Sequence, residues 1–364
     1  MEEKQLNVSL LIGNGFDIAI LESLKLKYTT TYKEFYDYLT YFLVNKNNSI
    51  YMAINEKKAL ETDDNWMDYE LLLSELVKQK IEALERISNF QNKKKQYEVF
   101  LEDWKEIQYM FADFLNHVIT PDILKQVTQL SGKGTLKRLL GDLTANQYKN
   151  IAFPSKTTHH IEMNFHIFNF NYSSLVDNYF YWLFDYHPYN VSTNNFHFAP
   201  NPQSFPNLKS KYDQNTTFYM RSSMNIYHPH GRLSIPESIL FGTTNDIPAY
   251  IKKKNNFNNE LLQKLDKAYW ARLDEKMQPI LEKSDLFVIF GQSVGESDEW
   301  WWRQVIHRLA EGSELLIYDF KKNSLKEKFL SYCEGSKEIK KEIEDRIYVI
   351  DFDNSKKLKY TFTF

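Results

Sequence analysis

Four short stretches set polar side chains directly behind apolar runs. The first, Gly13-Asn14-Gly15-Phe16-Asp17, closes the run Leu10-Leu11-Ile12. Glycine admits positive φ and close backbone approach, so amides at such a turn can face a phosphate. The stretch is not a Walker A loop, because no Gly-Lys-Ser/Thr follows. Nor is it a full dinucleotide fingerprint, because Ile18 stands at the third glycine position. A tight structural turn explains both glycines equally well, and Asp17 also reads as a helix N-cap. In the second stretch "HIFNF" runs into "NYSSLVD", which sets Asn171 and Tyr172 at a strand exit. The third, "YHPHGRL", carries His228 and His230 ahead of Gly231. The fourth, "GQSVGESDEWWWRQV" over 291–305, has Gly291 and Ser293 in a turn and Asp298 in the helix behind it. Each stretch alone reads as capping or core. Together they bring amides, carboxylates, hydroxyls and imidazoles to the ends of several strands, where one pocket would form.

Such an arrangement needs a sheet whose strands end at one edge. Residues 6–12, 163–170, 238–242, 285–291, 314–320 and 346–352 are short runs rich in Ile, Val, Leu and Phe. Strands of this kind are buried on both faces and belong to a parallel sheet. Helical stretches at 259–283 and 299–311 separate some of them, as βαβ units require. Between the first strand and the second the period changes. Tyr32, Phe35, Tyr36, Leu39, Phe42 and Leu43 keep helical spacing. So do Tyr97, Phe100, Leu101, Trp104, Ile107, Phe111, Phe114, Leu115 and Val118. "NWMDYELLLSEL" (65–76) is helical as well. The segment 188–225, rich in Asn, Pro and Ser, reads as a long irregular excursion. The expected architecture is one open, mostly parallel α/β sheet. Its core takes in residues 1–19 and 151–364, with a large helical insertion over 20–150.

Composition narrows the classes. A chain of 364 residues allows one large domain or two, and 43% hydrophobic content supports a real core. A formal charge of −3 and a pI near 6.3 predict no strong attraction to nucleic acid or anionic membrane. The lysine runs 93–95 and 252–254 read as solvated faces. The only cysteine, Cys333, excludes a disulfide framework and a Cys-rich zinc site, and fits a reducing compartment. The start, Met1-Glu2-Glu3-Lys4, lacks the apolar stretch of a signal peptide. No apolar run approaches the roughly 18 residues of a membrane span. A cytoplasmic protein is expected. His159-His160 reads as a surface loop, and no metal site is expected there.

In chain order, "LLIGNGFD", "TTYKEFYDYL", "WMDYE", "FNFNYSSLVD", "HPHG" and "FGQSVGESDEWWW" resemble the AbiH family of bacterial phage abortive-infection proteins. The resemblance covers nearly the whole chain, and its first and last motifs are the most specific. The family's first motif usually continues into a Gly-Leu step, whereas this chain reads Ile18-Ala19-Ile20-Leu21. Gln292 stands where a histidine is common. The resemblance implies a protein that kills or arrests an infected cell. More distantly, the motif order is similar to that of sirtuin-type NAD-consuming folds, bacterial defence NADases among them, which implies a Rossmann-like, sirtuin-like sheet. In that likeness Gly13-Asn14-Gly15 matches the glycine loop and Asn171-Tyr172 the strand-exit pair, with Ser173 where an Asp often stands. His230-Gly231 matches the His-Gly pair, and Gly291-Gln292-Ser293 the last loop.

The likeness implies NAD as substrate, without a metal. Asn171 would hold the ribose or a water, and His230 would take a proton. Amides near Gly13 to Gly15, with Ser293, would hold the pyrophosphate, and Asp17 or Asp298 would accept from ribose hydroxyls. His228, which lacks a following glycine, is the weaker catalyst on this pattern. A plain reading of His230 is a buried imidazole bonded to a carbonyl. Two rival functions use the same motifs. Asp17, Asp68, Glu70 and Asp298 could converge on Mg²⁺ for phosphodiester cleavage, with nucleic acid as the partner. Alternatively the sheet only senses a nucleotide, and the helical insertion binds a phage protein or a second subunit.

Overall fold

A computed structural model describes residues 5–60, 69–130, 135–136, 139–156, 161–180, 193–194, 220–239, 273–320, 324–353 and 362. Six strands run parallel: β1 (Gln5–Ile12), β2 (Ile161–Asn169), β4 (Met220–Tyr227), β5 (Leu286–Phe290), β6 (Glu314–Phe320) and β7 (Ile347–Phe352). A two-residue strand, β3 (Thr193–Asn194), pairs antiparallel with β4 at one edge. The sheet order is β3-β4-β2-β1-β5-β6-β7. Counted in chain order, the six parallel strands stand 3-2-1-4-5-6, the doubly wound arrangement. The order in which strands are added reverses at the parallel β1–β5 pair, so the exits of those two strands flank the switch point where such sheets bind ligands.

The apolar runs explain why the sheet is a middle layer. Val8, Leu10 and Ile12 face one side with Val288, Phe290, Leu316 and Tyr318. Leu11, Phe168, Phe287, Ile289 and Ile317 face the other, against Trp301 and Trp302 of the helix Glu299–Ala310. Both faces are covered, so near-continuous hydrophobic runs replace alternation.

Between β1 and β2 every described element is a helix. α1 (Asn14–Ser23) follows β1 directly, and α2 (Tyr32–Phe42), α3 (Ser49–Leu60), α4 (Tyr69–Glu85) and α5 (Phe90–Val118) come next. α5 buries Tyr97, Phe100, Trp104, Ile107, Phe111, Phe114, Leu115 and Val118 as one stripe, as its spacing predicts. α2 buries Phe35 and Leu39, but Phe42 at its end is 57% exposed. Among the described residues no helix is long and apolar enough to cross a membrane.

Three expectations need correction. β4 begins inside the segment 188–225 read as irregular and runs two residues beyond it; Met224 and Ile226 of its middle pack on the core, while Ser223 and Asn225 on the other face mask its strand pattern. The strand expected at 238–242 is absent from its described part, because Pro236–Ser238 forms a 3-10 turn. The remainder of that run lies outside the described residues, as do Trp66, Asp68 and His159-His160. Asp17 is not an N-cap, because α1 begins at Asn14 with Gly13 in the capping place.

Gly291 has φ +69, and a Cβ there would lie 2.5 Å from the Phe16 backbone nitrogen. Gly291→Ala is therefore expected to cost about 3 kcal/mol or more, from backbone strain plus a clash that no side-chain rotation relieves. Chemical denaturation followed by circular dichroism checks this, and a loss below about 1 kcal/mol would show that the loop tolerates the methyl group.

Candidate functional site

The β1 and β5 exits are locked together by their backbones. The Gly13 amide donates to the Phe290 carbonyl and the Gly15 amide to the Gly291 carbonyl, both at 2.9 Å. A Cβ on Gly13 would meet the Gly291 carbonyl oxygen at 2.6 Å, and one on Gly15 would meet the Gly291 Cα at 2.7 Å. The glycines are thus required by loop-on-loop contact. Of the amides expected to hold a pyrophosphate, those of Gly13 and Gly15 are already donated. Asn14 is committed as well: its Nδ2 donates to the Thr30 carbonyl at 2.9 Å, and Thr30 Oγ1 donates to Asn14 Oδ1 at 2.6 Å.

The turn after β5 is held under strain. Val294 is fully buried with φ +51, a conformation that a β-branched residue rarely adopts. Its carbonyl accepts from Tyr332, and the next carbonyl, of Gly295, accepts from the Trp302 indole at 2.9 Å. Ser293 in this turn is exposed, and its carbonyl accepts from Lys328 Nζ. The Gln292 side chain lies over Gly13, with its Nε2 buried and without a partner. Such turns concentrate at functional sites, where surrounding contacts hold what the local chain disfavours.

Asp17, one turn into α1, is 1% exposed and sits beneath the β2 exit. Asn171 Nδ2 donates to its Oδ1 at 2.7 Å, and Ser173 Oγ donates to its Oδ2. Burial raises its pKa from 3.8 to about 7, the bonds from Ser173 and Asn171 oppose that rise, and the nearby Asp177 charge adds to it. Asn169, the last residue of β2, accepts the Asn171 amide on Oδ1 at 3.0 Å and donates from Nδ2 to Asp177 Oδ2 at 3.2 Å. Asp177 Oδ1 in turn lies 3.0 Å from His228 Nε2.

On the other side of the β2 exit, His230 Nε2 meets Asp298 Oδ1 at 3.0 Å. Both side chains are more than nine-tenths buried. The His230 ring stands edge-on to Phe170 at 5.0 Å and lies 6.2 Å from Tyr172. The Gly231 turn behind it is tight: φ is +95, and a Cβ would lie 1.9 Å from the Ser238 carbonyl oxygen. The plain reading of His230, a ring bonded to a carbonyl, is replaced by a ring bonded to a carboxylate.

A run of contacts therefore joins Asp17, Asn171, Tyr172, His230 and Asp298, and the glycine loops close its β1 and β5 side. Ser293 and Asn14 stand outside this run. Glu70 lies in α4, and its side chain is outside the described residues. Among the described residues no three His, Cys, Asp or Glu side chains gather to hold a metal ion. Sequence reasoning missed Asn169 and Asp177, and named Ser173 only as standing where an Asp often does. The signal was present: Asn169, Asn171 and Ser173 crowd three polar side chains into the turn directly behind an apolar strand.

α5 grips both loops. Gln108 Nε2 donates to the Ile239 carbonyl at 2.6 Å, and the Tyr109 hydroxyl donates to Glu237. Phe111 stands edge-on to Tyr172 at 5.2 Å, and the Leu233 amide donates to the Tyr172 carbonyl at 2.8 Å.

The family model of bacteriophage abortive infection AbiH proteins matches residues 10–319. The chain belongs to that family, and it is a bacterial abortive-infection protein directed against phage. No curated protein matches the chain.

The raised Asp17 carboxyl predicts a pH slope in stability. The folded chain holds this proton more tightly than the unfolded chain, so stability falls as pH rises from about 4 to about 7. Asp17→Asn is neutral throughout and lacks that slope. The wild type should lose about 4 kcal/mol relative to the variant across this window, at roughly 1.4 kcal/mol for each pH unit crossed. Denaturation midpoints of both proteins across the window check this, and parallel curves would contradict it.

Proposed function

With AbiH membership as premise, we propose that the protein hydrolyses NAD in this strand-end site, in the manner of sirtuin-like defence domains, and so disables the infected cell from its cytoplasm. The observation that carries the reading is the buried His230–Asp298 pair at 3.0 Å, set beside Asn171 at the exits of parallel strands. Asp298 engages Nε2 and orients the ring, which leaves Nδ1 to receive a proton. Water oxygen bonds to the ribose C1′, and the C1′–nitrogen bond breaks with its electron pair passing to the nicotinamide ring. The water proton goes to His230 Nδ1 and then to solvent. The products are nicotinamide, ADP-ribose and one proton.

Asn171 commits its Nδ2 to Asp17, which fixes the amide and leaves Oδ1 for a ribose hydroxyl or the attacking water. Asp17 is the positioning group: a buried carboxyl holding the amide that meets the ligand. The rival Mg²⁺-dependent nuclease needs Asp17 as an ionised ligand, whereas Asn171 and Ser173 occupy both its oxygens and burial favours its proton. The pyrophosphate must be met by groups other than the Gly13 and Gly15 amides.

The expected result is that purified full-length protein, alone or with a phage lysate as trigger, converts NAD to nicotinamide and ADP-ribose equally well in EDTA and in Mg²⁺. His230→Ala and Asn171→Ala should each lose about two to four orders of magnitude, the range for an acid–base group. Chromatography of the reaction measures this. Nucleic-acid cleavage that needs Mg²⁺, with NAD untouched, would favour the nuclease. Full phage protection by both variants would sink NAD hydrolysis, and binding without any product would leave a sensor.

A further inference from the structure

His228 was the weaker of the two histidines on sequence pattern, yet its surroundings are those of a working imidazole. Its side chain is 6% exposed, and its Nε2 lies 3.0 Å from Asp177 Oδ1. A carboxylate at Nε2 holds the proton there and leaves the lone pair of the neutral ring on Nδ1. That Nδ1 is buried and meets no hydrogen-bond partner. An unmet buried polar atom destabilises a fold, and native structures carry few of them. The dyad is also wired into the site. Asp177 accepts from Asn169, whose Oδ1 takes the Asn171 amide, and Asn171 binds Asp17. His228 stands immediately behind β4, two residues before His230, at the same edge of the sheet as every other polar group of the site.

We propose that His228 contacts the ligand directly: its Nδ1 accepts a hydrogen bond from a ribose hydroxyl, with Asp177 fixing the tautomer. This rests on the reading of the site as one for a nucleotide. The acceptor suits a hydroxyl and not a phosphate. In the tautomer whose one proton lies on Nε2 toward Asp177, Nδ1 accepts and has nothing to donate to an anion. The site then holds two imidazole–carboxylate pairs with separate tasks. His230 with Asp298 receives the reaction's proton, and His228 with Asp177 reads the sugar.

Two substitutions separate the ring nitrogens. His228→Gln keeps an amide nitrogen near the place of Nε2, facing Asp177, and puts nothing at Nδ1. His228→Asn keeps a polar group near Nδ1 and gives up Asp177. Folding of each is verified by circular dichroism and gel filtration. In a phage plating assay His228→Gln should lose at least tenfold in protection, and His228→Asn should lose less. In NAD titrations the wild type should bind an analogue lacking one hydroxyl of the nicotinamide ribose at least tenfold more weakly than NAD, and His228→Gln should not discriminate. Wild-type protection by folded His228→Gln, or unchanged discrimination, overturns the proposal. Should His228→Gln fail to fold, Asp177→Asn replaces it, at a side chain that is 33% exposed, with the same tenfold loss expected. A wild type that binds no NAD overturns the nucleotide reading instead. His228 is then judged on plating, where lost protection supports its role and full protection ends it.

Discussion

Backbone contact between the β1 and β5 exits is the constraint on which the site depends. Gly13 and Gly15 donate to the carbonyls of Phe290 and Gly291, and no side chain fits between them. The contact places α1 hard against the sheet edge, with Phe16 packed on Phe290 and Tyr179. Asp17 follows Phe16 and is carried under the β2 exit as a result. A methyl group at Gly13, Gly15 or Gly291 would push the loops apart and withdraw the carboxyl from Asn171. The glycines act on the chemistry through geometry, by fixing where one acid stands.

From that placement the electrostatics follow. A carboxyl that is 1% exposed sits beside another acid, Asp177, and receives only two donors. Burial pushes its pKa up to about 7, so the proton comes off only around neutral pH. Each neighbouring polar group is drawn into satisfying it or its neighbours, and both amides of the Asn169 and Asn171 pair become fixed. A network in which most groups are met has few alternative arrangements. The two imidazoles stand on either side of it, each tied to its own carboxylate.

Much of this was legible in the chain. The apolar runs at β1, β5 and β6 mark themselves by burial on two faces, those at β2 and β7 by apolar residues that partly alternate with polar ones, and the α5 stripe by its spacing. β4 did not, because Ser223 and Asn225 alternate with Met224 and Ile226 and one face of the strand is polar. Three of the four motifs were legible as strand exits, whereas the strand before His228 and His230 was not, and the structure pairs His230 with Asp298 beside the Asn171-Tyr172 turn. Their partners were harder to see. Which carboxylate meets which histidine depends on the order of strands in space, and sequence spacing is silent on that. Asp177 lies 51 residues from His228, and Asp298 lies 68 from His230. The glycine loop misled in a specific way. A loop that approaches another loop and a loop that approaches a phosphate need the same residue.

The grip of α5 on the site has a mechanical side. Gln108 holds the turn behind His230, and Phe111 holds the residue behind Asn171, from one rigid helix of 29 residues. Gln108 and Phe111 lie about one turn apart, so the two loops cannot shift independently while the helix stays straight. A sideways displacement of α5 must either break the Gln108 bond or drag the 231–239 turn along. The far end of α5 extends many residues beyond these holds. α5 also packs against α2, α3 and α4, so a single helix ties the helical layer to both loops of the site.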